Sequence, residues 1–450
     1  MASTKDILNA QRFNRARLMT AFQSGMPEGR ELTPTRPWGG LIGGIILTIL
    51  LFGVAWVSTL FAPSLPANWE HGSLITDENT GARYVSIEGT LHPVNNASSA
   101  HLMFPGNLKI VSAGSEALTE ASIGPEVGIA GAPDQLPTPE SVADPTLLTC
   151  TATGGGPWTG VNTGAWEEPE DRAVHVIVDG QSYLVAGGYR YPIGDDVHSP
   201  EQILTALGQQ VEAPMQANAT WLNVFPQGEP LVSLTIPGLG EPAGSMTGVG
   251  DDVAVGTLLE VSDTANEGTI YVVHQGGQIE RMTPVMIQLY AIGDGAIYSD
   301  PLPITSQELS QLELIDGSTR GTWPEEIRGM LEEGETPCAY LDTESAQGQV
   351  RFVVGNDIPS TSAMMVDVAP QSGAIIRTRA DSSLGYTHLI DESGTMFTVN
   401  PAADTLAALG LSEADDLTVG PEWRDLFYAG PSLSTTQAWA TVPEESRGEQ

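Results

Sequence analysis

Cysteine and lysine are nearly missing from this 450-residue chain, with two of each, and positive charge of any kind is sparse: 18 Lys and Arg against 56 Asp and Glu, net −38. Each shortage excludes something. A nucleotide phosphate loop needs backbone amides of a glycine-rich turn followed by a lysine. Lys5 and Lys109 do not follow glycine, and no GxxxxGK[ST] occurs. The glycine-rich stretches GLIGG (40–44) and TGGGPWTG (153–160) lack that lysine and read as helix packing and as loop. There is no CxxC pair of the zinc type and no GxSxG elbow. The seven histidines, at 71, 92, 101, 175, 198, 274 and 388, form no HExxH or zinc spacing. No DxDxDG calcium loop is present, and acidic pairs such as Asp195-Asp196 and Asp251-Asp252 read as solvated loops. No catalytic set, cofactor site or metal site is therefore expected. The acidity argues against nucleic-acid partners and against docking on anionic lipid.

Charge is missing altogether from Pro37 to Asn68. Within that gap Leu41 to Phe61 is apolar for 21 residues, and at about 1.5 Å per residue it covers roughly the 30 Å of bilayer hydrocarbon. A cleaved signal peptide has a shorter apolar core and a small-residue cleavage site. This run is longer, starts late and keeps Phe52, Trp56 and Phe61 near its end. It predicts a retained single-pass helix over 37–62. Gly40 and Gly44 form a small-xxx-small pair that lets a second helix pack closely. Before the run, Lys5, Arg12, Arg15, Arg17, Arg30 and Arg36 oppose only Asp6, Glu28 and Glu31. Basic residues stay cytoplasmic, which puts the N-terminus inside and residues 63–450 outside the cytoplasm. In that exported setting Cys150 and Cys338 read as one disulfide closing a 189-residue loop, two separate buried thiols being the alternative.

The arm before the membrane reads as an amphipathic helix. Ser3 is placed to cap it, Asp6 stands at the capping-box position and Gly25 can stop it. Ile7, Ala10, Phe13 or Asn14, Arg17 and Leu18, Ala21 and Phe22 recur at helical spacing, with Arg12 and Arg15 on the other face. Such a helix lies on lipid or docks on a cytoplasmic partner.

The exported part carries a spaced repeat: a bulky strand residue, a glycine five later, an aliphatic residue five after that. It occurs at Tyr84, Gly89, Val94; Tyr183, Gly188, Ile193; Val272, Gly277, Met282; and Leu389, Gly394, Val399. Each unit reads as a β-hairpin with its turn at glycine. Ser199-Pro200, Thr283-Pro284 and Asn400-Pro401 then predict capped helices that end near Gly208, Gly293 and Gly410. The first copy lacks the proline. The copies are not in tandem, and the cysteines fall in the material between them. The expected class is α+β: one N-terminal transmembrane helix, then an elongated extracytoplasmic region of four hairpin-helix repeat domains around a discontinuous central domain. The expected boundaries are 1–36 for the cytoplasmic helix and linker, 37–62 for the span, and 63–111, 173–255, 256–315 and 381–417 for the repeats. The central domain takes 112–172, 316–380 and 418–450, the last ending in a disordered tail. Trp158, Trp166 and Trp221 occur in loop-like surroundings and suggest, as an alternative role, a membrane-anchored module that stacks on cell-wall sugars.

Four segments carry a family resemblance: NAQRFNRARLMTAFQSG before the apolar run, GARYVSIEGTLHPVNNASSAHLMFPG after it, GIAGAPDQLP at 128–137 and VAPQSGAIIRT at 368–378. With these the chain resembles EccB, the B component of the actinobacterial type VII (ESX) secretion machinery, almost end to end. The resemblance implies a structural component of an inner-membrane complex with the EccC motor ATPase, EccD and EccE. It also implies a periplasmic region that dimerises, with repeat domains around a disulfide-bearing centre. The family is also labelled an ATPase; the missing phosphate-loop lysine does not support nucleotide hydrolysis here. Docking on the partners is expected through Arg12, Phe13, Arg15, Arg17, Leu18 and Phe22.

Overall fold

The computed structural model describes residues 3–25, 38–60, 65 and 67–442, apart from 120, 143, 153, 211–212, 251, 264–266, 298–299, 316–319, 343–347, 381–382 and 412–416. The expected disordered tail lies outside the described residues. The chain divides into two units, Met1–Leu65 and Pro66–Gln450.

The first unit holds two helices. Helix α1 is Thr4–Ser24. The Ser3 hydroxyl caps it, the Asp6 carboxylate accepts from the Ser3 amide at 3.2 Å, and Gly25 closes it in the left-handed region at φ 65°. Local chemistry sets both ends. Helix α2 is Trp38–Leu60, 23 residues, or about 35 Å at the α-helical rise. Leu41, Ile45, Ile49, Leu50, Phe52 and Trp56 are all exposed along it. The described side chains are continuous only from Trp38 to Val54, and among the described residues no helix is long and apolar enough to cross a membrane.

The second unit contains five sheets. Four outer sheets are built alike. Each starts with three antiparallel strands: 73–77, 83–87 and 90–93 in the first; 172–178, 181–186 and 189–192 in the second; 258–261, 270–273 and 278–281 in the third; 374–380, 383–390 and 395–399 in the fourth. A helix follows: α3, Ala97–Met103; α4, Pro200–Ala206; α5, Pro284–Ile292; and α6, Ala402–Ala408. After the helix a strand returns parallel to the first strand of its sheet, at 109–113, 215–216, 302–304 and 417–419. Further on, a segment pairs parallel to the third strand, at 122–123, 313–314 and 428–429, and in the second sheet through the bridges Arg190 to Gln227 and Ile193 to Leu231.

The hairpin turns form at the glycines read from the sequence: Gly89, Gly188, Gly277 and Gly394 all have φ between 75° and 83°, where a side chain would be strained. Ser199 and Thr283 cap α4 and α5 as expected, and Asn96 caps α3 by accepting from the Ser99 amide at 2.9 Å. The fourth copy differs. Asn400 does not cap α6; Pro401 is itself the cap residue and supplies no side-chain hydrogen bond.

The fifth sheet is central, six-stranded, and drawn from two distant parts of the chain: 147–151, 157–161 and 165–167 with 336–342, 349–356 and 365–368. Strands 147–151 and 336–342 run antiparallel side by side, with Cys150 opposite Cys338, and a disulfide joins them. The outer sheets reach further than the repeat boundaries drawn from the sequence. The first runs to Ile123, past residue 111, the fourth starts at Ala374, before 381, and continues to Ala429, past 417. The late segments are two to five residues long and carry no glycine turn, so only their tertiary pairing reveals them, and the strand 374–380 precedes the hairpin from which the fourth repeat was read.

The cores cross sheet boundaries. One continuous core combines the second and third sheets, including Leu184, Ile203, Leu259 and Leu289. Another combines the first and fourth, including Leu74, Leu102, Ile375 and Leu406. A third joins the central sheet to the second and fourth through Val176, Trp221, Phe352 and Ile376. The outer sheets are thus paired, first with fourth and second with third, around the disulfide-tied centre.

Candidate interaction surfaces

Helix α1 shows most of its large apolar side chains: Ile7, Leu8, Leu18 and Met19 are exposed and Phe22 is 89% exposed. At about 100° per residue, Ile7, Leu18 and Phe22 fall within about 60° of one another. Arg15 borders that stripe beside Phe22. Arg12 and Arg17 stand about 100° or more from Leu18, on opposite sides, and Phe13 is about 180° from Phe22. The six residues expected to share a docking face therefore wind around the helix, because a spacing of three or four admits either of two neighbours at each turn and the basic residues were added from the other face. The stripe of Ile7, Leu18 and Phe22, edged by Arg15, is the continuous face.

On α2, Gly40 and Gly44 lie one turn apart. A Cβ at either, or at Gly43, would meet nothing within 4 Å in this chain, so the notch they form is open to another helix.

The tryptophans chosen for sugar stacking do not form a platform. Trp158 and Trp221 are buried, at 3% and 0% exposure. The Trp158 indole donates to Asp367 at 3.1 Å and the Trp221 indole to the Thr149 carbonyl at 3.2 Å. Loop-like composition misled here: both indoles pack on the central sheet. Trp166 is half-buried against Tyr340, with ring centroids 4.6 Å apart and the Arg351 guanidinium 5.7 Å above it. An aromatic group the sequence reading did not single out joins the first outer sheet to the chain end: Phe104 packs edge-on to Trp439 at 5.3 Å and to His71 at 5.1 Å. Only long-range proximity reveals it, since 335 positions separate Phe104 from Trp439.

Polar groups in the body are mostly structural. Burial alone would raise the Asp195 carboxyl, but amides of His198, Ser233 and Val197 and the Ser233 hydroxyl hold it far below the usual range. His388 sits inside the fourth sheet at 2% exposure, its nitrogens 3.3 Å from the Thr378 hydroxyl and 3.2 Å from that of Thr398. Burial, with the Arg424 charge nearby, pushes its pKa down to about 4. His274 meets the fully buried Glu280 carboxylate at 2.9 Å. Among the described residues no group of three or more His, Cys, Asp or Glu could hold a metal ion.

The architecture is a multi-sheet α+β fold. It matches a chain of an intact ESX-5 inner membrane complex with TM-score 0.66 at 20% identity, covering 98% of this chain and 96% of that one. It matches the EccB3 dimer from the ESX-3 core complex with TM-score 0.66 at 24% identity, covering 82% and 99%. The chain belongs to the EccB family, described as "Type VII secretion system ESX-1, transport TM domain B", whose profile matches residues 1–443. A relative, the "ESX-3 secretion system ATPase EccB3" of Mycolicibacterium smegmatis, is 26% identical over 439 residues, covering 88% of this chain and 82% of the relative. EccB1 of Mycobacterium tuberculosis, also named an ATPase, is 34% identical over 94 residues, 21% of this chain and 19% of its own length. The chain is thus a component of type VII secretion machinery.

Proposed function

We propose that this chain is a structural membrane component of a type VII secretion complex, holding its extracytoplasmic side together by dimerisation. Helix α2 is the single-pass anchor, with the N-terminus cytoplasmic and the body from residue 66 onward in the periplasm. Helix α1 docks on the cytoplasmic side of the membrane partners, for which the EccC motor ATPase, EccD and EccE are the candidates. The four outer sheets act as paired repeat domains around a central domain assembled from two segments.

The observation that carries this reading is α2: 23 residues without a charge, large apolar side chains exposed along it, preceded by a basic arm and followed by a strongly acidic body. Exposed apolar surface of that extent is stable only against lipid or other helices. The role is non-enzymatic. In support, Lys5 lies on α1 and Lys109 on an outer strand, neither in a glycine-rich loop.

The test is co-purification from membranes. Replacing Arg12, Arg15 and Arg17 with Glu should remove the membrane partners from the purified complex while the body still dimerises. Unchanged recovery of the partners would refute the docking role. A body that stays monomeric at micromolar concentration would refute the dimer.

A further inference from the structure

The strand Arg172–Val178 is patched along its outer edge by two short parallel segments. Gly329–Met330 pairs with Arg172 and Ala173, and Met215–Gln216 pairs with Val176 and Ile177. Val174 and His175 fall between the patches. A cavity of about 520 Å³ lies there, with His175, Leu204, Met215, Met330, Glu332 and Glu333 among its walls. His175 is 7% exposed, and neither ring nitrogen has a hydrogen-bond partner. Buried polar atoms are almost always partnered, since an unpaired one forfeits its hydration for nothing.

The surroundings define what partner suits this imidazole. Burial pushes its pKa down, against the pull of the Glu201 carboxylate. The ring is neutral near pH 7 and offers one lone pair as an acceptor. Leu204, Met215 and Met330 make an apolar wall, and the two methionines, unbranched and flexible, can move to admit a chain. Glu332 and Glu333 are exposed beside it, and the described lining contains no lysine or arginine. We infer that this cavity binds an alkylammonium group, its chain between the methionines, its N–H donating to His175, and its charge matched by Glu332 and Glu333. The site lies in the body, between the first strand of the second outer sheet and the segment 330–333.

Calorimetric titration of the full chain in lipid nanodiscs with n-butylamine, against 1-butanol as the neutral arm, tests it near neutral pH. Butylamine should bind saturably and at least about tenfold more tightly than butanol, about 1.4 kcal/mol. His175→Phe, which keeps the ring volume without the nitrogens, should weaken the amine by about tenfold or more. The surface pair Glu332→Gln and Glu333→Gln should weaken it several-fold with unfolding unchanged, and this pair decides the matter if His175→Phe folds poorly. Absence of saturable amine binding, equal binding of butanol, or full affinity in the glutamine pair would overturn the assignment.

Discussion

Cys150 and Cys338 stand opposite each other on neighbouring antiparallel strands although 188 positions separate them. The bond between them closes a loop that contains the whole second and third outer sheets. It therefore holds the two halves of the central sheet together whatever happens inside the loop.

Removing that bond should destabilise the body. A loop of this length is worth about 5 kcal/mol by chain entropy, and native disulfides typically deliver about 2–5 kcal/mol. The pair Cys150→Ala with Cys338→Ala should lower the urea midpoint accordingly, and reductant should do the same to the wild type. Non-reducing peptide mapping should recover the linked Cys150 and Cys338 peptides; two alkylatable thiols in the native protein would contradict the bond.

The angular reading of α1 makes a sharper prediction than residue type. Leu18→Asp with Phe22→Asp should abolish recovery of the membrane partners, whereas Phe13→Asp, on the opposite side, should leave most of it. Equal loss from both changes would mean that no single stripe docks.

Equivalent hairpin glycines should differ in tolerance. Gly89 and Gly188 both have positive φ. A Cβ at Gly89 meets nothing, whereas one at Gly188 would overlap the Val350 carbonyl oxygen of the central sheet. Gly89→Ala should cost about 1 kcal/mol in backbone strain. Gly188→Ala should cost clearly more, since a sheet contact must shift as well. Thermal unfolding of the two variants side by side gives the comparison.

Acid should act through His388. Its folded pKa of about 4 lies below the unfolded value of about 6.5. The unfolded chain therefore binds the proton first. The native state is fully favoured above pH 6.5 and loses stability as pH falls from 6.5 to 4, by on the order of 3 kcal/mol. His388→Gln should flatten that limb of the stability curve. A ring titrating near 6.5 in NMR spectra of the folded protein would remove the basis for it.

How much of this was legible along the chain varies by element. The caps at Ser3, Ser199 and Thr283 and the turns at Gly89, Gly188, Gly277 and Gly394 are local: one side chain or one φ angle decides each, and the sequence shows it directly. The cap at Asn400 failed because Pro401 took the cap position itself. The six docking residues do not share one face of the helix, since Phe13 and Phe22 point about 180° apart. Trp158 and Trp221 were misread because glycine-rich neighbours resemble surface loop, while their burial depends on strands up to 209 positions away.

Short-range chemistry along the chain specified the uncharged helix between a basic arm and an acidic body, the recurring hairpin-helix unit and the family. Those signals are carried by residues within a few positions of each other. Tertiary structure alone decided that the outer sheets pair first with fourth and second with third. It also decided that strands of two to five residues complete each sheet, and that the two cysteines the sequence already paired lie opposite each other on neighbouring strands of the central sheet. Strand pairing and core packing depend on which apolar faces find each other across hundreds of residues, and no local pattern encodes that choice.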